Sequence, residues 1–371
     1  MVDQVLESSM DYFLAACLSF LVTFISLPVV INVFNSINLL DIPDRRKIHK
    51  ISTPSLGGIP IIVSLYLTIL IILPFQELAS MKFFMAAVAL IFLLGIRDDI
   101  ASLDARQKLV IQLLAAFMVV QYSDVRILSF HGFLGIDQLN TLSSKAFTIF
   151  LIVALTNSFN LIDGIDGLAG AIGLIALVFM GTYFFLKGEN SLAVIAICLA
   201  SGLLAFLYFN WYPSRIFMGD TGSMSLGFVI AVLIIIYTKM NVSPGINNVD
   251  SPIALSIALM IVPVYDTLRV MTKRIIAGKS PFRADRNHTH HVLLRIGFNH
   301  SQSAMILVGF TLIVIFLSLW LHQAGDNLLV MGQLATVFSF GAVLDFIEFK
   351  RRKNANDGRS LPGRYFISKS A

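Results

Sequence analysis

Long apolar runs recur along the whole chain and constrain its fold more than any other feature. A helix that crosses the hydrocarbon core of a bilayer needs about 17 to 25 residues, tilt included. Eleven runs approach or reach that length, at residues 13–34, 57–73, 82–96, 109–122, 146–160, 168–186, 192–209, 224–237, 252–269, 304–321 and 328–347. Only 13% of the residues are charged, whereas about 25% is usual in a soluble domain. The sequence therefore predicts an all-α polytopic membrane protein.

The third and fourth runs are short, and a charged stretch at residues 97–108 separates them. An Asp or Arg at the bilayer centre costs about 2.5 to 3.5 kcal/mol, so this stretch cannot lie in hydrocarbon. We therefore expect eleven transmembrane helices, with ten as the alternative count. They are expected to form a single catalytic domain at residues 1–349, followed by a basic cytoplasmic tail at residues 350–371.

Basic residues are distributed unevenly between the two sides that eleven spans define. One side receives 22 of the 27 Lys and Arg residues, and an excess of basic residues marks the cytoplasmic side of a membrane. A misplaced span would mix the basic loops between the sides and remove the bias. The distribution predicts that the N-terminus lies outside and the C-terminus in the cytoplasm.

Four polar motifs fall on the predicted cytoplasmic side. They are RDD at 97–99, NSFNLIDGIDGLAG at 157–170, NWYPSRIFMGDTGS at 210–223 and ADRNHTHHVLL at 284–294. Ionisable residues at a membrane boundary are costly and frequently functional. Because four such motifs share one face, we expect a catalytic site there.

The first motif contains two adjacent carboxylates, Asp98 and Asp99. Like charges repel each other unless a cation or a proton is shared between them, so the pair suits magnesium or acid/base chemistry. A simpler interpretation is a solvated loop in which one of them caps the fourth helix or pairs with Arg97. For an isolated pair of acids the simpler interpretation is the more common one.

The second motif repeats an amide or a carboxylate at every third position. These residues are Asn157, Asn160, Asp163 and Asp166. Residues three apart are neighbours on a helix, but an ideal helix would carry the series around its surface. We therefore expect the backbone to break near Asp163 and Gly164. Asparagines at a helix end can simply satisfy backbone groups, but two further acids at the membrane boundary favour a functional site.

The third motif leads into the eighth predicted span. Pro213 ends the preceding helix, and the GDTGS segment bends the chain so that Asp220 opens the next one. Asp220 fits an ordinary N-cap and equally a metal ligand, and the local sequence leaves both open.

The fourth motif lies in a connection of roughly thirty residues, which is long enough to suggest a functional loop. It places His288, His290 and His291 beside Arg286, and such groups bind diphosphates well. No HExxH or cysteine spacing supports zinc, whereas the carboxylates elsewhere on this face favour magnesium. An earlier basic stretch adds groups suited to phosphate or lipid headgroups, namely Lys47, His49 and Lys50.

Together the motifs resemble those of the polyprenyl-phosphate N-acetylhexosamine-1-phosphate transferase superfamily. Its members carry a DD motif, an NxxNxxDGxDGL motif, an MGDxGS motif and a late histidine loop, in this order. The HTHH sequence is similar to the branch that uses UDP-N-acetylglucosamine or related sugars, rather than to the MurNAc-pentapeptide transferases. One departure is Ser102, which stands where relatives often carry a third acid.

The resemblance implies transfer of a sugar-1-phosphate, N-acetylglucosamine-1-phosphate in this branch, from a UDP-sugar to undecaprenyl phosphate, with release of UMP. This step would start lipid-linked polysaccharide synthesis at the cytoplasmic face of a bacterial inner membrane. The implied cofactor is Mg²⁺, with Mn²⁺ as a substitute. The implied partners are the UDP-sugar, the polyprenyl phosphate and the bilayer, with no nucleic acid and with a homodimer left open.

The resemblance also implies roles for the matching positions. The catalytic residues would be Asp98, Asp99 and Asp220, and the metal ligands would be Asp220 and Asn160. The substrate-binding residues would be Asn157, Asp163, Asp166, Arg286, His288, His290, His291, Lys47, His49 and Lys50. Asp99 would be either a general base or an organiser of metal or phosphate, since a phosphomonoester with a second pKa near 6 is already largely dianionic at pH 7.

Two other functions fit parts of the sequence. A MurNAc-pentapeptide phosphotransferase of peptidoglycan synthesis would use the same chemistry on another sugar. An ion-coupled transporter would also place acids beside broken helices, but near the membrane midplane and between repeats. Here the acids cluster at one edge and no repeat is visible, so the transferase is favoured.

Overall fold

The protein is described by a computed structural model that covers residues 2–36, 53–241, 250–280 and 288–356. These residues form fourteen α-helices, two 3₁₀ turns and one isolated β-bridge. The helices are α1 (Val2–Ser36), α2 (Gly58–Ile72), α3 (Phe75–Ser80), α4 (Lys82–Ile100), α5 (Ala105–Tyr122), α6 (Thr141–Leu161), α7 (Leu168–Lys187), α8 (Asn190–Asn210), α9 (Gly219–Met240), α10 (Pro252–Leu259), α11 (Ile261–Ile276), α12 (Thr289–Ile296), α13 (His300–Trp320) and α14 (Asp326–Asn356).

Each of the eleven apolar runs coincides with a helix, and the ninth run forms two helices, α10 and α11, bent by 74° at their junction. Within the described ranges, seven helices are long and apolar enough to cross a membrane, and the bent pair would make an eighth. Of the remaining three, α2 has only 15 residues, while α4 and α5 carry charges at the ends that face each other. The all-helical membrane class is confirmed; the count of eleven and the orientation of the termini stay predictions.

The outward faces of the helices are apolar. Phe13, Ile25, Phe150 and Phe316 are among the large side chains that remain exposed. Monomeric soluble proteins rarely expose contiguous apolar surface on this scale. These faces therefore suit contact with the acyl chains of a bilayer.

The central helix of the bundle is α9. It packs against α2, α4, α6, α7 and α10, and nearly all of its length is buried. Its first two residues, Gly219 and Asp220, are only half-buried. The N-terminus of the most buried helix is therefore accessible at one end of the bundle.

Two glycines allow neighbouring helices to approach the first turn of α9 at backbone contact. A Cβ atom added at Gly58 of α2 would lie 2.1 Å from the backbone nitrogen of Gly222. One added at Gly95 of α4 would lie 2.4 Å from the Cα atom of Thr221. Since only glycine permits so close an approach, these positions fix the N-terminus of α9 against α2 and α4.

We expect Gly95→Ala to destabilise the protein by about 1 to 3 kcal/mol, because the added methyl group must push α4 away from α9. Thermal unfolding of the purified protein in detergent, followed by circular dichroism, measures the effect. Gly309→Ala in α13 is a matched control, because nothing lies within 4 Å of a Cβ atom there. Equal unfolding temperatures for the two variants would show that this helix contact does not require glycine.

Candidate active site

The four polar motifs meet at one end of the bundle. RDD closes α4, the two asparagines lie near the end of α6, MGDTGS opens α9, and the histidines begin α12. Contacts described below join each motif to another. The expected convergence of the motifs on one face is therefore observed.

A lysine ammonium lies at the centre of this end, between two carboxylates. Lys108 of α5 forms an ion pair with Asp98 and donates a hydrogen bond of 2.7 Å to Oδ2 of Asp220. Asp98 is buried and also accepts a 2.7 Å hydrogen bond from the backbone N–H of Leu103. A cation between two acids offsets their mutual repulsion. Asp98 thus shares its cation with Asp220 and not with its sequence neighbour Asp99.

The other oxygen of Asp220 faces α6. Oδ1 accepts a 2.8 Å hydrogen bond from Nδ2 of Asn160, which also donates to the Ser223 hydroxyl at 2.8 Å. Ser223 in turn donates to the carbonyl of Gly219. The Asp220 side chain therefore binds groups of α5 and α6 and does not cap its own helix, so the N-cap interpretation of this residue is wrong.

Asp99 supplies the cap that α9 needs. Its Oδ1 accepts the N–H of Asp220 at 2.9 Å, and its Oδ2 accepts the N–H and the hydroxyl of Thr221 at 2.9 and 2.6 Å. The first N–H groups of a helix have no partner inside it, and its N-terminus favours negative charge. In the simpler interpretation of the RDD motif, one of its acids caps the fourth predicted helix, which is α5. The capping residue of α5 is instead Asp104, and Asp99 caps α9.

The second motif breaks where the sequence predicted. Helix α6 ends at Leu161 and α7 begins at Leu168, and the break gives the four polar residues of the series different neighbours. Asn157 remains inside α6, where its Nδ2 donates a 2.7 Å hydrogen bond to Oε1 of Gln112 on α5. Asn157 therefore joins α5 to α6, whereas Asn160, one turn later, binds Asp220.

Asp163 lies in the turn between α6 and α7, beside the N-terminus of α9. Burial raises the pKa of its carboxyl group well above the ordinary value. The neighbouring carboxylates of Asp220, Asp99 and Asp166 raise this pKa further, and a hydrogen bond from the Gly219 N–H counteracts them. A strongly shifted carboxyl among other acids is typical of a functional site.

Asp166 joins the second motif to the third. Its buried carboxylate accepts a 3.4 Å hydrogen bond from the backbone N–H of Ser214 and lies 3.5 Å from Nδ1 of His300. Close by, the Asn210 side chain accepts the N–H of Gly167 at 2.9 Å. These contacts hold the turn of the second motif against the segment that leads into α9.

The histidines lie at the start of a short helix, α12, within the long connection that the sequence predicted to be a functional loop. Nδ1 of His288 lies 2.6 Å from Oδ2 of Asp266 on α11, and the N–H of Thr289 donates to the other oxygen. His290 is buried against the second motif, because a Cβ atom at Gly164 would lie 2.4 Å from its Nε2. The fourth motif thus contacts the second directly.

The buried histidine is neutral under ordinary conditions. Burial, and then the charge of His291, lowers the pKa of His290 to about 3. The two rings are close, with centroids 4.3 Å apart. A neutral His290 offers one N–H donor and one acceptor nitrogen, so it suits a hydrogen-bonding role more than a cationic one.

Some residues of the site were not predicted, and some predicted ones lie outside the described residues. Lys108 was predicted only as one of the basic residues on the cytoplasmic side, Ser223 only as the last residue of the third motif, and Gln112 had no predicted role. The sequence gives little indication that these residues belong to the site. The one available indication is that Lys108 and Gln112 are one turn apart on α5, a spacing that places both on one helix face. The predicted residues outside the described ranges are Lys47, His49, Lys50 and Arg286.

The carboxylates of the site are the kind of ligand that a hard metal ion binds. No group of three His, Cys, Asp or Glu side chains among the described residues forms a ready metal centre. However, Asp98 and Asp220 already converge on a single cation, the ammonium of Lys108. Carboxylate and amide oxygens are the ligands that Mg²⁺ prefers, so Asp220 and Asn160, with Asp98 beside them, are the residues that fit it.

These features define a class of protein. The fold is an all-helical bundle with an apolar outer surface and a cluster of acids, amides, histidines and a lysine at one end. It is therefore a polytopic membrane protein with a polar site at the edge of its membrane-spanning part.

Comparison with known proteins gives the family. The sequence profile of the family described as Glycosyl transferase family 4 matches residues 81–238. A probable undecaprenyl-phosphate N-acetylglucosaminyl 1-phosphate transferase of Bacillus subtilis is 30% identical over 301 residues, which cover 80% of this chain and 81% of the relative. A decaprenyl-phosphate N-acetylglucosaminephosphotransferase of Mycolicibacterium smegmatis is 32% identical, with 86% and 84% covered. An undecaprenyl-phosphate alpha-N-acetylglucosaminyl 1-phosphate transferase of Escherichia coli O157:H7 is 27% identical, with 78% of each chain covered.

The chain belongs to glycosyltransferase family 4 and is a phosphoglycosyltransferase of that family. It resembles bacterial inner-membrane transferases, and the family is metal-dependent. The family assignment agrees with the resemblance that the four motifs carry. It also replaces the transporter interpretation with an enzymatic one.

We expect Asp99→Ala to destabilise the protein by about 1 to 2 kcal/mol, because the first N–H groups of α9 lose their acceptor. Asp99→Asn keeps one acceptor oxygen and should have an intermediate effect. Thermal unfolding in detergent measures both variants against Asp137→Ala, which changes an exposed acid in the connection between α5 and α6. Full stability of the Asp99→Ala protein would contradict the capping role.

Proposed function

We propose that the chain transfers N-acetylglucosamine-1-phosphate from UDP-N-acetylglucosamine to undecaprenyl phosphate and so starts a lipid-linked cell-envelope polysaccharide. An oxygen of the lipid phosphate forms a bond to the sugar-linked phosphorus. The bond from that phosphorus to the bridging oxygen breaks, and the bridging oxygen leaves with UMP. The names of the Bacillus and Escherichia relatives support this sugar-1-phosphate and this acceptor.

The observation that carries the proposal is the cluster of Asp220, Lys108, Asp98 and Asn160 at the end of α9. Two anionic phosphates must approach each other in this reaction, so catalysis consists mainly of positioning and charge neutralisation. Lys108 supplies one positive charge. Mg²⁺, with Mn²⁺ as a substitute, would be held by Asp220 with Asn160 and would supply Lewis-acid stabilisation of the phosphate oxygens.

The acids of the RDD motif take different roles in this proposal. Asp98 holds the ammonium of Lys108 next to Asp220. Both oxygens of Asp99 accept hydrogen bonds from the first turn of α9, so Asp99 fixes the position of Asp220. The proposal needs no general base, since the lipid phosphate is already largely dianionic near pH 7.

The donor side of the site is formed by the second and fourth motifs. His288 and His291 lie beside the buried His290, and each of the three imidazole rings neighbours the other two. We assign binding of the donor diphosphate to these histidines and Arg286. We assign binding of the remainder of the nucleotide sugar to the turn of the second motif. The residues of that motif are Asn157, Asp163 and Asp166.

The reaction requires a soluble donor and a lipid acceptor to meet, so its site belongs at a membrane surface. We propose that this surface is cytoplasmic, in a bacterial inner membrane. The supporting observation is that Arg97, Arg106, Lys108 and Arg215 all adjoin the ends of helices that form the site. Basic residues of this kind mark the cytoplasmic side.

A donor panel tests the activity. Purified protein in nanodiscs receives undecaprenyl phosphate, Mg²⁺ and one of UDP-N-acetylglucosamine, UDP-N-acetylgalactosamine or UDP-MurNAc-pentapeptide, and UMP and the lipid product are measured. We expect turnover with UDP-N-acetylglucosamine and a decrease of at least about 100-fold in Asp220→Asn, which loses the central negative charge. Asp137→Asn is the control and should retain full activity.

Other outcomes of the panel are informative. Turnover of another sugar alone would move the assignment to that donor. No UMP from folded protein with any donor would overturn the proposed function. Full activity of Asp220→Asn would remove Asp220 from the catalytic group while leaving the substrate assignment in place.

Cysteine labelling tests the orientation. In a background with Cys17 and Cys198 replaced by alanine, a membrane-impermeant maleimide is added to intact spheroplasts. We expect labelling of Asp137→Cys before lysis and of Arg106→Cys only after lysis, because the two exposed positions lie at opposite ends of α5. The reverse pattern would place the site outside.

A further inference from the structure

Two acids one turn apart on α14 each bind a basic residue of a different helix. Asp345 pairs with Arg269 of α11, whose side chain is only 6% exposed, and with Lys273 at 2.8 Å. Glu348 accepts a 2.7 Å hydrogen bond from Nε of Arg295 on α12. The two carboxylates therefore connect α14 to α12, which carries the histidines of the fourth motif, and to α11, which packs beside it.

Further contacts are made at both ends of α12. Asp266 of α11 binds His288 at the start of α12, whereas Arg295 lies in the last turn of the same helix. Just beyond that turn, a Cβ atom at Gly297 would lie 2.3 Å from the guanidinium of Arg351 on α14. Helix α12 is thus held at its start by α11 and at its end by α14.

Such support is needed because α12 has only eight residues. Isolated helices shorter than about 12 to 15 residues are marginal in water, so tertiary contacts must fix its position. The Glu348 side chain is only 12% exposed, which limits screening of its pair with Arg295. Arg352, in contrast, binds the same carboxylate within α14 and is 68% exposed, a situation in which ion pairs contribute little.

We propose that Glu348 and Asp345 are positioning residues for the donor site. They act through Arg295 and Arg269, and they hold α12 so that its histidines stay against the turn of the second motif. The inference rests on the proposed function, in which the histidines contact the nucleotide sugar. It adds α14, which carries none of the four motifs, to the structure that determines donor affinity.

Kinetics and amide hydrogen exchange on the full chain test the proposal. For Glu348→Gln we expect the KM for UDP-N-acetylglucosamine to rise about three- to tenfold while kcat stays within about twofold, because binding is lost and the reacting groups are untouched. Amides of residues 288–297 should exchange faster, without added substrate. Arg352→Gln is the matched control, since it removes the exposed partner of the same carboxylate, and both readouts should remain at the parental value.

A charge swap separates positioning from a general loss of stability. Glu348→Arg combined with Arg295→Glu should recover much of the parental KM and exchange rate, whereas each single reversal should not. If the Glu348 variants fold poorly, Asp345→Asn tests the same positioning role through the ion pairs with α11. Unchanged KM and unchanged exchange in both Glu348→Gln and Asp345→Asn would overturn the proposal.

The exchange measurement also separates this inference from the proposed function. If the parental protein turns over no donor, the proposed function fails, and exchange in α12 alone decides whether α14 positions the histidines. If the parental protein is active but exchange in α12 is the same in every variant, the positioning role fails and the function stands.

Discussion

The hydrogen bonds from the first turn of α9 to Asp99 are the interaction on which the rest of the site depends. They join α4 to the central helix at the point where the helix dipole favours a carboxylate. The same turn carries Asp220 and is held by backbone contact with Gly95. One turn of helix therefore fixes the two acids of the RDD motif, the carboxylate that opens α9 and the approach of α4 in a single arrangement.

The second constraint is electrostatic. Acids at the edge of a low-dielectric bundle destabilise one another unless positive charge or hydrogen-bond donors lie between them. Here Lys108 and Asn160 satisfy the two oxygens of Asp220, and Lys108 also pairs with Asp98. The acids are consequently held close together by groups of the protein itself. A site assembled in this way is ordered before any substrate arrives, which reduces the reorganisation that phosphoryl transfer would otherwise require.

Much of the fold could be predicted from the sequence, because the apolar runs and the break near Gly164 are local signals that each segment carries by itself. The partners within the site could not be predicted in this way. Asp220 suits an N-cap by local rules, yet Asp99, far away in sequence, takes that role. Lys108 resembles any basic residue at the end of a span until helix packing places it beside Asp98 and Asp220. Such pairings follow from tertiary contacts between distant helices, which a short motif does not specify.

The ion pairs of α14 have a consequence for how the protein is made. Helix α14 follows the other thirteen in the chain, so it leaves the ribosome after all of them. A nascent chain that ends before Asp345 lacks the acids that pair with Arg269, Lys273 and Arg295. Helices α11 and α12 thus reach these contacts with α14 only after α14 itself has been synthesised and inserted.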